Sequence, residues 1–410
     1  MPDTRTLALN VVRTLREQGH VAYLAGGCVR DEVLGLHPQD YDVATDARPE
    51  TIRALFKRTS EVGAHFGVVL VREGPTIVEV ATFRADGPYS DRRRPEQVRF
   101  STPEEDARRR DFTVNALFLD PFAPGDPGGR VIDFVGGRAD LDARLIRAVG
   151  DPDARFQEDD LRTLRAVRFA ARLDFEIEPA TAEAIRRHAG DLRGISRERI
   201  GDEIRRMLTH PSRGRAVGLL RSLGLDAPVL CEPTSRSEPR RVAALAPGAE
   251  FACALAAWML DRGFGTGDGL VDAVGRWRAA LCLSNQERDA LLAIMTGVAR
   301  LQNEWPTATV AGQKRLAASD WFLSAVEVIG TTEREAASAI QGRRDELAAT
   351  PGGLAPPPLL TGDDLIASGM HPGPSFKKVL DLVYDAQLEG RVMDSSGALE
   401  LARRVGVQGV

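Results

Sequence analysis

The spacing of apolar positions changes several times along this chain. From Thr4 to Gln18 it follows a helical period and predicts a short amphipathic helix. "HVAYLAGG" then reads as a strand running into a glycine turn, "CVRDEVLG" as a helix stopped near Gly35, and "QDYDVATDA" as a second strand with a polar end. Helical spacing returns in "RPETIRALFK", and "FGVVLVREGPTIVEVATFR" gives two strands joined through "REGP". This interleaving predicts a small mixed α/β domain.

Asp86 to Asp106 is rich in charges, prolines and turn formers without a sustained period, which predicts a mobile loop. Order resumes in "ARRRDFTVNALFLD", and short strands are expected around "VIDFVGG". From Asp151 to about Leu347 the pattern is helical, and "ATPGGLAPPPLL" (349–360) reads as a connector. Beyond it we expect a helix capped at Asp363, a turn near Gly373 and a helix through Tyr384. Four segments follow from these breaks: 1–144, 145–220, 221–348 and 349–410.

A chain of 410 residues is long enough for two to four domains. No apolar run is long enough to cross a bilayer, and the first twenty residues lack a secretory core, so the expectation is a cytoplasmic protein with no membrane partner. Cys28, Cys231, Cys253 and Cys282 are too scattered for a disulfide framework or a zinc site, and Cys28 reads as a packing residue. His65 and His371 read as ordinary loop residues. The net charge of -5 argues against a wholly basic, nucleic-acid-coating surface. Arg144 to Arg215 nevertheless holds sixteen arginines against thirteen acidic residues, so the middle of the chain is locally basic. Lysine is scarce (Lys57, Lys314, Lys377 and Lys378), and the last two read as a solvated helix face.

The candidate chemistry begins at "DYD". Alternate residues of a strand share a face, so Asp40 and Asp42 can present two carboxylates together while Tyr41 points away. Their mutual repulsion and hard oxygen ligands suit a pair of Mg²⁺ ions, about 4 Å apart, which could hold an attacking hydroxylate and a triphosphate on opposite sides of one phosphorus. Glu79, expected to be buried in an apolar strand, is the candidate third ligand or proton acceptor. Gly26 and Gly27 allow close approach of backbone to phosphate, and Arg30 can add charge-assisted bonds to it.

Together "LAGGCVRD", "DYDVATDA", "VEVATFR", "RRRDFTVNALF" and "RFQEDDLRTLRAVRFAARLDF" resemble the bacterial-type, class II tRNA nucleotidyltransferase and poly(A) polymerase family, strongly over residues 20 to about 210. The resemblance implies an α/β nucleotidyltransferase head with a polymerase-beta-like mixed sheet, followed by mainly helical neck, body and tail. It implies metal binding by Asp40 and Asp42, with Glu79 in the third acidic position. Gly27, Arg30 and Arg110 would contact the nucleotide, with Asp111 and Asn115 supporting the site. Asp159 and Arg162 match the pair that tests the base edge, with Arg165 and Arg168 as further nucleotide or phosphate contacts. On one continuous helix, Asp159 and Arg162 would be neighbours and Arg168 would point nearly opposite Asp159. A carboxylate accepts from an exocyclic amine and a guanidinium donates to ring acceptors, so such a pair can select C and A without a template.

The implied activity is completion or repair of the tRNA 3′-CCA end from CTP and ATP, with Mg²⁺ as cofactor and the acceptor end of tRNA as partner. An A-adding enzyme and a poly(A) polymerase share the visible chemistry, although the absence of an extended basic C-terminal arm disfavours the latter. A silent tRNA-binding protein would have no chemical use for the carboxylates. No His/Asp cluster in the sequence suggests an attached metal-dependent phosphohydrolase, so that second activity is not expected.

Overall fold

The computed structural model describes residues 3–61, 67–87, 98–124, 128–370 and 375–407. They divide into two compact units, Met1–Met207 with Arg215–Thr234, and Leu208–Gly214 with Ser235–Val410.

The first unit opens with α1 (Thr4–Glu17), started by the Asp3 carboxylate accepting from the Thr6 amide and burying Leu7, Val11 and Leu15. Then come β1 (Ala22–Ala25), α2 (Gly27–Val33), β2 (Asp42–Thr45), α3 (Pro49–Leu55), β3 (Thr59–Glu61), β4 (Val68–Glu73) and β5 (Thr76–Thr82). β4 and β5 form the expected hairpin, with Gly74 at φ 62°. Next are β6 (Arg84–Asp86), β7 (Val98–Phe100), α4 (Pro103–Arg108), β8 (Phe118–Asp120), β9 (Arg130–Ile132), α5 (Gly137–Asp142) and β10 (Leu145–Ile146). Seven strands make one sheet in the order β3-β4-β5-β2-β1-β8-β9. Within it β2 runs parallel to β5 and antiparallel to β1.

Register is what builds the site. Asp42 pairs with Glu79 on one side and Ala25 on the other, so the third carboxylate and the start of the glycine turn fall in the same row of the sheet. Phe83, Phe118, Ala44 and Val149 pack below as a core, with Phe83 and Phe118 edge to face at 5.8 Å between ring centres.

Three expectations need correction here. The supposed mobile loop carries regular structure at both ends: Asp86 pairs with Val98, and the Thr102 side chain caps α4. Three-residue strands are too short to display a period, and Pro103 stands where proline is compatible with a helix start. Residues 88–97 lie outside the described residues. Glu79 is exposed rather than buried, because only its neighbours Val78 and Val80 point into the core. The supposed continuous helix around Asp159 is broken into α6 (Pro152–Glu158) and α7 (Arg162–Leu173), with Asp159 in extended conformation between them.

β11 (Glu176–Ile177) pairs parallel with β10, and α8 (Pro179–His188), α9 (Arg197–Leu208), α10 (Arg213–Ser222) and α11 (Asp226–Leu230) follow. The second unit is helical among its described residues: α12 (Arg240–Ala244), α13 (Phe251–Asp261), α14 (Leu270–Leu281), α15 (Asn285–Asn303), α16 (Val310–Ala317), α17 (Phe322–Gly330) and α18 (Arg334–Ala348). Trp258 and Trp277 meet edge to face at 5.2 Å in its interior. α19 (Gly362–Ala367), α20 (Ser375–Leu388) and α21 (Ser395–Val407) gather around Leu365, Val379, Val383 and Ala398. The cap of α19 is Thr361, in a capping box with Asp364, rather than Asp363. The turn expected at Gly373 lies outside the described residues, as do His65 and His371.

Candidate active site

Asp42 opens a cavity of about 490 Å³ whose far wall carries Asp159, Arg162, Arg165 and Arg199. Gly26, Gly27, Arg30, Arg110, Asp111 and Asn115 also border it. Of the expected site residues, Asp40, Glu79 and Arg168 do not line the cavity. Asp40 and Glu79 act on it through Asp42. Tyr41 between the two aspartates is buried, with its hydroxyl donating to Glu32 at 2.8 Å, so Asp40 and Asp42 both face outward. Asp42 keeps an open surface, yet the protein around its carboxyl raises the pKa to about 6, with Glu79 and Asp40 adding repulsion and Arg110 opposing it. Three carboxylates so coupled are a donor set that a hard divalent cation would relieve. Cys28 packs below them, its thiol pushed up to about 11 by burial.

Gly26 is the N-cap of α2 at φ 77°, a region that side chains rarely adopt. Space requires glycine as well, since a Cβ there would lie 2.8 Å from Arg110 Nη1. Arg110 is anchored by Asp106 at 3.1 Å and by the Asn115 carbonyl at 3.0 Å, and its guanidinium lies over Phe118 at 5.1 Å. Burial opposes ionisation of Asp106, but Arg109 and Arg110 outweigh it and hold the carboxyl below its usual range.

A second network runs through Asp111. Arg30, only 3% exposed, donates from Nη1 to Asn115 Oδ1 at 2.6 Å and pairs with Asp31. Asn115 donates to Asp111 Oδ1 at 3.1 Å, and Arg165 reaches Asp111 Oδ2 from two nitrogens at 2.8 and 2.6 Å. Burial would raise the Asp111 carboxyl, but Arg165 overrides it, with the Asn115 bond assisting, and holds the pKa at about 2. Phe169 completes this wall with the guanidinium groups of Arg30, Arg165 and Arg168 at 5.2, 5.4 and 4.5 Å from its ring centre.

Asp159 and Arg162 do not face each other as one helix would place them. Arg162 bonds Glu158 at 2.6 Å, and Asp159 takes Arg199 at 2.7 Å. Arg168 is turned to Glu203 at 2.7 Å. Sequence reasoning missed Arg109, Arg199, Leu161 and Phe169 as lining residues. Arg199 sits forty positions beyond Asp159 on α9, where no local period can reveal the meeting. Phe169 stood within a quoted motif but reads as one more apolar position of α7.

Elsewhere Asp160, His188 and Asp191 place three possible ligand atoms within 4.8 Å of one another, a second cluster able to coordinate a metal. No helix among the described residues is long and apolar enough to cross a membrane.

The sequence is 37% identical to the CCA-adding enzyme of Levilactobacillus brevis over 412 residues, covering 98% of both chains. That likeness spans everything described above. The chain belongs to the CCA-adding enzyme family. The family model of the poly A polymerase head domain matches residues 22–147, and the probable RNA and SrmB-binding site of polymerase A matches 174–234. The CCA-adding enzyme of Geobacillus stearothermophilus is 44% identical over 221 residues, about half of each chain. A crystal structure of the Bacillus stearothermophilus CCA-adding enzyme in complex with CTP superposes with a TM-score of 0.80 at 30% identity, covering 100% of this chain and 99% of that one.

Two measurements probe this CCA-adding fold apart from turnover. Gly26→Ala should cost at least about 1 kcal/mol in chemical denaturation, through its positive φ and the displaced Arg110; unchanged stability would contradict the close packing. Because Asp111 is depressed below an unfolded aspartate, its stabilisation is complete above about pH 4 and is lost as pH falls toward 2, roughly 2 kcal/mol in all. Asp111→Asn should therefore flatten the acid limb of the stability profile, and an unaltered slope would count against the pair.

Proposed function

We infer that this chain adds or repairs the 3′-terminal CCA of tRNA, using CTP and ATP without a nucleic-acid template. The observation that carries this reading is a single cavity bounded by Asp42, by Arg30 and Arg110, and by Asp159 with Arg162. The likeness to a CCA-adding enzyme along the whole chain supports the same reading.

In the reaction the tRNA 3′-hydroxyl oxygen bonds to the α-phosphorus of the nucleotide, the bond to the bridging oxygen breaks, and pyrophosphate leaves. Asp40 and Asp42, with Glu79 beside them, would hold two Mg²⁺ ions, which when bound supply Lewis-acid activation of the hydroxyl and neutralise triphosphate charge. Gly26 and Gly27 leave backbone room for the phosphates. Arg110, held by Asp106, and Arg30 place positive charge on the triphosphate side. Asp111 and Asn115 keep those guanidinium groups in place. Asp159 accepts from the exocyclic amine that C and A share, while Arg162 donates to the base edge. Arg165 adds phosphate-side charge, and Arg168 acts from behind Phe169 rather than by contact with the nucleotide. The segments 1–144, 145–220, 221–348 and 349–410 serve as nucleotidyltransferase head, base-reading neck, body and tRNA-binding tail.

The test is extension of tRNAs ending before CCA, after C and after CC, with Mg²⁺ and CTP and ATP alone or together. Complete CCA on each end is expected. Growth by a single A on the CC end alone would select an A-adding enzyme, untemplated A runs a poly(A) polymerase, and no extension despite tRNA binding a silent binder. Asp42→Ala should lower extension about a thousandfold or more, equivalent to several kcal/mol of lost charge stabilisation, with tRNA affinity little changed; near-normal turnover would remove Asp42 from the chemistry. Asp159→Ala should erode discrimination between CTP and UTP about ten- to a hundredfold, as expected for losing a charge-assisted bond. Unchanged selection among all four triphosphates would reassign base reading elsewhere.

A further inference from the structure

Lys314 is one of only four lysines in a chain that otherwise uses arginine, and it lies far along the sequence from the site above. It belongs to the buried face of α16, with Ala311, Leu316 and Ala317, and is 3% exposed. Its ammonium makes no hydrogen bond or ion pair among the described residues, so its charge is left for whatever enters the space beside it. Burial accordingly depresses the amine from its usual value.

The open space beside Lys314 is a cavity of about 410 Å³ inside the second unit. Its wall is fixed by side-chain bonds to the proline-rich connector. Tyr384 donates to the Pro356 carbonyl at 2.9 Å, and Gln387 donates to the Pro357 carbonyl at 2.8 Å while accepting from the Leu359 amide at 2.9 Å. Glu389 borders the cavity as well, but its carboxylate is occupied by Arg391 at 2.6 Å. The remaining lining is largely apolar, including Val310, Leu359, Val392 and Met393, and Met393 is 79% exposed. A braced pocket of this size, with apolar walls and one uncompensated cation, has the character of a small-molecule site.

We propose that this cavity binds a small organic anion, its carboxylate or phosphate paired with the Lys314 ammonium and its apolar body lying on Leu359, Val392 and Met393. The site is independent of nucleotidyl transfer.

Calorimetric titration of the full chain with octanoate, phenyl phosphate, inorganic phosphate and neutral octanol tests the assignment. One equivalent of octanoate or phenyl phosphate should bind, octanol and inorganic phosphate much more weakly, and Lys314→Met should weaken the organic anion at least about tenfold, the worth of one charge-assisted bond. Met393→Trp, placed on an exposed side chain that leaves Lys314 intact, should weaken it as well and decides the matter if Lys314→Met does not fold. Absence of anion binding to the unaltered protein, or binding undiminished in both Lys314→Met and Met393→Trp, would overturn the proposal. So would a loss of tRNA affinity in Lys314→Met without any small-anion binding, which would give the ammonium to an RNA phosphate.

Discussion

A single buried carboxylate, Asp111, ties the sheet to the helix that faces it. Its two oxygens are divided between neighbours: Oδ1 takes the Phe112 amide and Asn115, and Oδ2 takes two nitrogens of Arg165. Through Asn115 the same group reaches Arg30 on α2. Asn115, Arg30 and Arg165, on three pieces of chain, are therefore fixed by one largely buried charge at the edge of the cavity. A buried acid with so complete a set of donors orients its partners more than it stabilises the fold. Arg30 and Arg165 owe their positions at the cavity to it, whereas Arg110 is held by Asp106 and Arg162 by Glu158.

The sheet provides the complementary constraint. Parallel pairing of β2 with β5 puts Asp42 opposite Glu79, and antiparallel pairing with β1 puts Ala25 on the other side, directly before Gly26. A slip of one residue in either pairing would turn Asp42 toward the core and separate it from Glu79. Alternation of Val43, Val78 and Val80 into the interior prevents that slip, so ordinary apolar packing sets the spacing of the carboxylates.

Local patterns made much of this visible in the sequence. The strand alternation around Asp40 to Asp42, the glycine turn and the β4–β5 hairpin are each encoded within a few residues, and the quoted motifs contain every lining residue but Arg199, although Arg109, Leu161 and Phe169 carry no signal that singles them out. Glu79 was placed in the correct strand but on the wrong face, since a glutamate between valines reads as buried until the pleat is known. The helix drawn through Asp159 failed because helical periodicity on both sides conceals a short break. Arg199 and the Glu203 partner of Arg168 depend on chain folding back over more than thirty positions, which periodicity cannot report. Lys314 has no local signal beyond its rarity, because its burial on α16 depends on the tail packing around it.

The break between α6 and α7 gives Asp159 a different kind of freedom from its neighbours. Arg162, Arg165 and Phe169 belong to one helix, whereas Asp159 stands in extended backbone before it, its carboxylate shared between the Leu161 amide and Arg199 of a separate helix. Substitution at the break can therefore shift the Asp159 carboxylate, braced by Arg199 from a distant part of the sequence, while the helix carrying Arg165 and Phe169 keeps its own packing. A lineage that shortened, lengthened or re-braced those few residues would reshape one wall of the cavity while the Asp111 network behind it stayed intact.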